Sequence, residues 1–507
     1  MTNISFHTSK ICSGLLTQFS KCLSDWKSTR SRILLVILVI VAIIQTIYFI
    51  RIQDLYPSYG LTTEHFYSPL AVNLLEHGIY GEGEHPNIER ITKRPPFHSV
   101  FLAIIYGLLG QNELYSLILN NVFLWITVIL VYKIGSYISQ PVGLISAALF
   151  AADPVIYLTA NKNQPDILYA MQLAVFLLVS IGPFTNNQSQ SKMIVSSLIL
   201  AVATMTRAVT LYFWLPFMAS FIFLRRRLYP SSKFPVAHTM SIFLLIQIII
   251  LGGWIARNYT VNQNPTFASE QTQLFVDFFG PLVVSKSEGS SYKETKNRLK
   301  QERQFDEHLQ YLHSNNPGAA QRYLLRSGIN MVIQNPISAL LTYIEHIPTL
   351  FLNYPIASIT LFFPEDQRES LNQFLEDYTS KKTSRMDLTR YPQAARYFIE
   401  SGTGIIILHG IFFKIFYLLS MIATGLGAAL MIASKKHRAF AILLAVFVAY
   451  MVFTSSFWPT ARLRISILPG TTVLVAYALV TSWFFASRFI QIPQWLGNLV
   501  KPIAEKE

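Results

Sequence analysis

Cysteine is almost missing from this chain. Only Cys12 and Cys22 occur in 507 residues, both in the polar first stretch. That excludes a disulfide framework and a cysteine-rich metal knuckle. Charge is also scarce. Charged residues make up 13%, about half the ~25% of an ordinary soluble domain. Acids are the scarcer kind, with 27 Asp and Glu against 41 Lys and Arg, a net charge of +14. The chain has no Walker A loop, no dinucleotide glycine fingerprint, no HExxH and no CxxC, so nucleotide-driven transport, nicotinamide chemistry and zinc-protease chemistry find no support. No small-residue cleavage site follows the first apolar run, which therefore reads as a retained span rather than a signal peptide.

Hydrophobic residues are plentiful, at 52%, and they come in long runs. The class is an all-α polytopic membrane protein with about ten spans. Expected spans lie near 33–50, 114–134, 141–158, 167–183, 192–206, 208–224, 236–256, 408–433, 439–456 and 467–486. This count puts the basic lead 1–32, Arg225-Arg226-Arg227 with Lys233, Lys435-Lys436-His437-Arg438, and Arg488 with Lys501 on one side, the cytoplasmic one. The expected organisation is a basic cytoplasmic segment 1–32, a transmembrane module 33–256 containing a first outer loop 51–113, an outer segment 257–403, and a C-terminal transmembrane module and tail 404–507. Two apolar stretches are left over. His98–Gly110 is too short to span, and Ile337–Phe363 is broken by Glu345, His346, Pro348 and Pro355. Both are expected to lie along the outer interface. Between Asn315-Asn316-Pro317 and Gln334-Asn335-Pro336 one helix is expected, bounded by its Asn-Pro steps.

Much of the net charge is thus a topology signal. Five arginines oppose it. Arg94, Arg207, Arg257, Arg462 and Arg464 all sit near span ends on the outer side. One such residue reads as snorkelling to lipid phosphate. Five on one face point to an anionic ligand held near the outer leaflet.

The same face carries carboxylates. A polar island between the first two spans holds Glu64 ahead of an amphipathic run whose apolar residues Phe66, Leu70, Leu74 and Leu75 fall at helical spacing, then Lys93-Arg94-Pro95-Pro96. Glu64 is either a solvated helix-start acid or a site residue. Asp166 follows Asn161-Lys162-Asn163-Gln164-Pro165 and opens a span, as a cap or as a site residue. Asp153, before Pro154, either ends a helix or belongs to a site. A carboxylate can take the proton of an acceptor hydroxyl, and nearby cations can hold a departing phosphate.

The strings carry a resemblance. Thr63-Glu64-x-x-Tyr67 with Leu70-Ala71-x-Asn73-Leu74-Leu75 and Gly78-x-Tyr80 resembles the first outer loop of the GT-C membrane glycosyltransferases, the group of protein O-mannosyltransferases and the lipid A aminoarabinose transferase. Arg94-Pro95-Pro96, Ala203-Thr204-Met205-Thr206-Arg207, Trp254-x-x-Arg257-Asn258-Tyr259 and Ala461-Arg462-Leu463-Arg464-Ile465 resemble later elements, in the family's order. The resemblance implies a GT-C fold with juxtamembrane helices at the outer face. It implies Glu64 and Asp166 as catalytic acids, and Lys93, Arg94, Arg207, Arg257, Arg462 and Arg464 around the donor phosphate. Tyr67 and Tyr259 would contact substrate. Where the family commonly has Asp, this chain has Thr63, so the acid there is Glu64 alone. Some members use a divalent metal, which would fall at Glu64 and Asp166, although no ligand cluster at metal spacing assigns one.

The implied activity is sugar transfer from a polyprenyl-phosphate donor to a hydroxyl on a lipid, glycan or protein, with inversion, at the outer face of a bacterial inner membrane. Nucleic acid is not an expected partner. A transporter or flippase of a lipid-linked or anionic substrate is the alternative. It predicts repeated halves and mid-membrane charges, and neither is seen. A polysaccharide ligase or polymerase of another membrane fold would use the arginines without needing Glu64.

Overall fold

Long runs rich in Leu, Ile, Val and Phe, with their backbone groups satisfied within the segment, can cross a bilayer only as helices or closed barrels. Here they are helices. The computed structural model describes residues 29–55, 66–185, 189–228, 235–353, 357–380 and 391–487. The first half comprises α1 (Thr29–Leu55), α2 (Ser68–His77), a two-residue antiparallel pair of β1 (Gly81–Glu82) and β2 (Glu89–Arg90), α3 (Phe97–Leu109), α4 (Glu113–Ser136), α5 (Gln140–Ala151), α6 (Pro154–Ala160), α7 (Asp166–Phe184), α8 (Gln190–Thr206), α9 (Trp214–Leu228) and α10 (Val236–Asn262). A run of shorter helices follows as α11 (Gly280–Glu288), α12 (Tyr292–Gln304), α13 (Glu307–Asn315), α14 (Pro317–Gln334), α15 (Pro336–Leu352), α16 (Glu365–Ser380) and α17 (Tyr391–Glu400). The chain then re-enters the bundle as α18 (Ile405–Ala433), α19 (Arg438–Ser455) and α20 (Leu468–Ser487).

Among the described residues seven helices are long and apolar enough to cross a membrane: α1, α4, α7, α10, α18, α19 and α20. The pair α5 and α6, bent by 61°, makes an eighth when it is counted as one span. The expected span 141–158 is therefore not straight. Pro154 cannot continue the α5 hydrogen-bond ladder, and Asp153 takes an extended conformation and caps α6 through its Oδ1 on the Val155 N–H at 3.0 Å. The expected spans at 192–206 and 208–224 are shorter helices, α8 of 17 residues and α9 of 15. Helix α14 matches the expected Asn-Pro-bounded helix, with the Asn316 side chain accepting from the Ala319 N–H at 2.9 Å. Helices α3 and α15 are two-faced. The former buries His98, Leu102 and Tyr106 and exposes Ile104 and Leu108; the latter buries Ala339 and Leu350 and exposes Ile337 and Leu340.

Aromatic packing joins α7, α9, α10 and α19. Phe217 lies 5.0 Å from both Phe176 and Phe184 and stacks on Phe243 at 5.3 Å. Such pairs add about 0.5–1.5 kcal/mol each beyond burial. Elsewhere small residues let helices touch: Gly427 on α18 backs onto the Leu474 carbonyl of α20 so closely that a Cβ would lie 2.0 Å from that oxygen. Gln45 of α1 donates to Asn121 of α4, tying the lipid-exposed first helix to the bundle.

The end of α8, the starts of α7 and α20, and the break after α5 gather at one end of the bundle. Arg464, in the turn before α20, is fully buried there. Its Nε and NH2 donate to Asp153 at 2.9 and 3.3 Å, its NH1 to the Phe351 and Asn353 carbonyls, and its face lies 3.8 Å from the Tyr417 ring centre. Removing one partner of a buried ion pair strands a charge and costs about 3–5 kcal/mol. Asp153→Asn and Arg464→Met should each lower thermal stability in detergent by that order, whereas surface Arg298→Met should not. A stability scan that ranks them equal contradicts this role.

Candidate functional site

Helix α2 begins at Ser68 after Tyr67, and its left-handed Gly78 (φ +66°) turns the chain into β1. Asn73 donates to the Gly81 and Gly83 carbonyls, which fixes that turn. The chain then runs through Lys93 and Arg94 to Pro96 and enters α3, where proline costs no hydrogen bond because the first N–H groups of a helix have no intrahelical acceptor. Across from it lies the 161–165 loop between α6 and α7. Asn120 holds its Lys162 carbonyl at 2.9 Å, and Asn163 bridges Ser116 and Ser68 at 2.8 and 2.6 Å. The 161–165 loop is thereby stitched to the start of α2 and to α4 by side-chain amides.

On this frame the charged residues converge. Arg207, at the end of α8, donates to one oxygen of Asp166 at the start of α7, and both side chains are largely buried. The other oxygen, Asp166 Oδ2, has no partner among the described residues. Arg94 is buried, with its guanidinium 4.1 Å from the Phe66 ring centre, 4.8 Å from that of Tyr67 and 4.0 Å from Glu270. Lys93 lies over the outer part of the same Phe66 ring at 5.4 Å. Arg257 caps the β1 turn by donating to the Ile91 and Tyr80 carbonyls, and it stacks on Trp254 at 4.9 Å. Among the described residues Arg462 donates to a neutral group, Gln164 Oε1, at 2.9 Å. Burial holds the Tyr67 hydroxyl above the ordinary phenol range, with Arg94 acting the other way.

The sequence-expected residues thus divide. Asp166, Lys93, Arg94, Arg207, Arg257 and Tyr67 stand together, with Arg462 at their edge. Arg464 is set apart by its own buried network with Asp153. The Tyr259 ring is exposed on α10 and has no ring or hydrogen-bond contact with the cluster. Glu64 lies outside the described residues.

Three members escaped the sequence reading. Glu270, in a single turn after α10, faces Arg94, and its N–H also bonds the Lys93 carbonyl at 3.2 Å. Lys162 is mostly buried beside Arg462 and Asp166, and burial first, then Arg462, draws its ammonium below the ordinary range. A lysine in so short a loop between two largely apolar helices was the signal for it. His98, at the start of α3, meets the Tyr67 ring edge-on at 4.9 Å and is 1% exposed. Its place in an apolar helix gave no sign of a polar setting. Among the described residues no three His, Cys, Asp or Glu side chains gather as a metal centre would need.

With this geometry in place, the comparisons bear on it. Residues 93–254 match the family of dolichyl-phosphate-mannose-protein mannosyltransferases. The resemblance to GT-C membrane glycosyltransferases drawn from the motifs rests on this match. The matched stretch holds Lys93, Arg94, Asp166 and Arg207. No curated protein matches the chain in sequence. Among solved structures, the Archaeoglobus fulgidus oligosaccharyltransferase in complex with zinc and sulfate is similar at 12% identity and TM-score 0.48, over 89% of this chain and 50% of that one. AglB from the same organism, in complex with an inhibitory peptide and a dolichol-phosphate, is similar at 14% identity and TM-score 0.46, over 91% and 52%. ArnT from Cupriavidus metallidurans bound to undecaprenyl phosphate is similar at 13% identity and TM-score 0.38, over 88% and 78%. The chain spans about half the length of the oligosaccharyltransferases. These likenesses are too distant to transfer the role of any residue.

His98 gives the site a pH signature. Burial pushes its imidazole down to about 3 from 6.5. Above 6.5 it is neutral folded and unfolded, and contributes nothing. Below 6.5 the unfolded chain takes up a proton that the folded chain refuses, so stability falls with pH by up to about 1.4 kcal/mol per unit. His98→Phe should flatten the melting temperature between pH 6.5 and 4.5 relative to the parent. An acid limb of unchanged slope contradicts the buried neutral state.

Proposed function

We propose that this protein transfers a sugar from a polyprenyl-phosphate carrier to a hydroxyl acceptor at the outer face of a membrane. The observation that carries the reading is the convergence, inside and beside the family-matched stretch, of a half-free carboxylate with a rim of cations. Asp166 has one oxygen tied to Arg207 and one open. Around it stand Lys93, Arg94, Arg257 and Arg462, of which only Arg94 has a carboxylate within 4.0 Å among the described residues. A phosphate at the headgroup level meets that rim, and its lipid tail lies along the exposed apolar flanks of the helices.

In the proposed step the acceptor hydroxyl attacks the anomeric carbon from the side opposite the phosphate. The carbon–oxygen bond to phosphate breaks, and its electron pair leaves with the polyprenyl phosphate. The acceptor proton passes to a carboxylate, with Glu64 as the base, while Asp166 holds the reacting sugar in place by its open oxygen. One displacement gives inversion at that carbon. The cations stabilise the charge that builds on the departing phosphate in a site poor in water. Arg464, spent on Asp153, holds the turn that presents Arg462 rather than touching the donor. No step is routed through a metal. The charges gather at one end of the bundle rather than mid-span, which counts against a transporter. The bilayer of this reading is a bacterial inner membrane, with the site facing the periplasm.

Glu64→Gln and Asp166→Asn should each reduce transfer from a labelled lipid-linked sugar by about 10²-fold or more in membranes, with expression unchanged. Full activity in both variants would falsify the mechanism. Arg462→Met should chiefly raise the donor KM, because it removes a cation whose partner among the described residues is neutral. A loss confined to kcat would place Arg462 elsewhere.

A further inference from the structure

Four polar atoms in the cluster are buried and without a partner among the described residues: both ring nitrogens of His98, Asp166 Oδ2 and Arg94 Nε. They are not scattered. The His98 ring is 4.9 Å from Tyr67, the Arg94 guanidinium 4.8 Å from the same ring, and Asp166 acts electrostatically on both Tyr67 and His98. Buried polar groups in folded proteins are nearly always paired, and leaving one unpaired costs about 1–3 kcal/mol. Four such atoms on three side chains around one tyrosine imply that something pairs them in the working protein.

The chemistry of the four atoms narrows that partner. A neutral imidazole offers one donor and one acceptor. Asp166 Oδ2 adds an acceptor and Arg94 Nε a donor. A phosphate accepts but does not donate, and it would be repelled by the free carboxylate oxygen. A vicinal diol both donates and accepts, and so satisfies such a mixed set. The other rim cations, Lys93, Arg257 and Arg462, lie outside this inner group and suit the anion, while Arg94 belongs to both, to the rim by its charge and to the inner group by its Nε.

We infer that His98, with Asp166 Oδ2 and Arg94 Nε, forms the subsite for the hydroxyls of the donor sugar, and that His98 is a specificity-determining residue contacting that sugar. The inference rests on the proposed transfer function and deepens it. The imidazole works as a neutral hydrogen-bonding group, which its burial enforces, and takes no part as acid or base. The sugar is recognised as a polyol by two acceptors and two donors, while the lipid phosphate is recognised separately at the rim.

Binding measured on the full chain in lipid nanodiscs separates the two claims. The probes are undecaprenyl phosphate and a set of undecaprenyl phosphosugars carrying glucose, mannose, galactose or a pentose. The parent should bind at least one phosphosugar about tenfold or more tighter than undecaprenyl phosphate. His98→Phe should erase that preference and leave the affinity for undecaprenyl phosphate within about twofold. His98→Gln, which keeps a donor and an acceptor, should restore part of it. Retention of the preference in His98→Phe overturns the inference and leaves the proposed function standing. A parent that binds undecaprenyl phosphate but prefers none of the phosphosugars also overturns it, since the inner group then holds only water. A parent that does not bind undecaprenyl phosphate at all removes the proposed function and this inference together.

Discussion

The buried pairing of Arg207 with Asp166 is the interaction on which the site depends. It links the last residue after α8 to the first turn of α7, two helices whose other contacts are largely apolar. A buried ion pair gains little net stability over an apolar substitute, because both charges lose their water. What it fixes here is position. With one oxygen of Asp166 held, the other meets no hydrogen-bond partner among the described residues. The 161–165 loop, stitched by Asn120 and Asn163, then sets Lys162 and Gln164 against Arg462.

A second buried pair, Asp153 with Arg464, shows the contrast. Both of its members are satisfied, Asp153 by Val155, Tyr417 and Arg464, and Arg464 by Asp153 and backbone carbonyls. No oxygen is left open and no donor is idle. Two arginines separated by one residue thus have opposite fates. Arg462 turns to the cluster and Arg464 is locked into the bend between α5 and α6. Structure and site lie side by side at one end of the bundle, and partner counting tells them apart.

Much of this was legible in the sequence. Runs of apolar residues and the sidedness of basic clusters gave an all-helical, multi-span chain. The Asn-Pro steps gave α14, and the strings around Arg94, Arg207 and Arg257 gave a resemblance to the family whose model matches residues 93–254. Other features could not be read. The bend at Asp153-Pro154 depends on a cap and on Arg464, over 300 positions away in sequence. Roles of the five outer arginines could not be separated, since identical side chains at similar span ends differ only in what the fold brings to them. Glu270 and His98 were invisible because their meaning comes from Arg94 and Tyr67, partners set by tertiary contact rather than by spacing.

The central claim is that the site acts on a sugar carried by a single lipid phosphate at the outer face. Purified protein in nanodiscs, supplied with membrane extract as acceptor, can be offered labelled sugar on polyprenyl phosphate or on polyprenyl pyrophosphate. The account predicts that the monophosphate donor is consumed, with free polyprenyl phosphate released in step with transfer. Consumption of the pyrophosphate donor alone would contradict it.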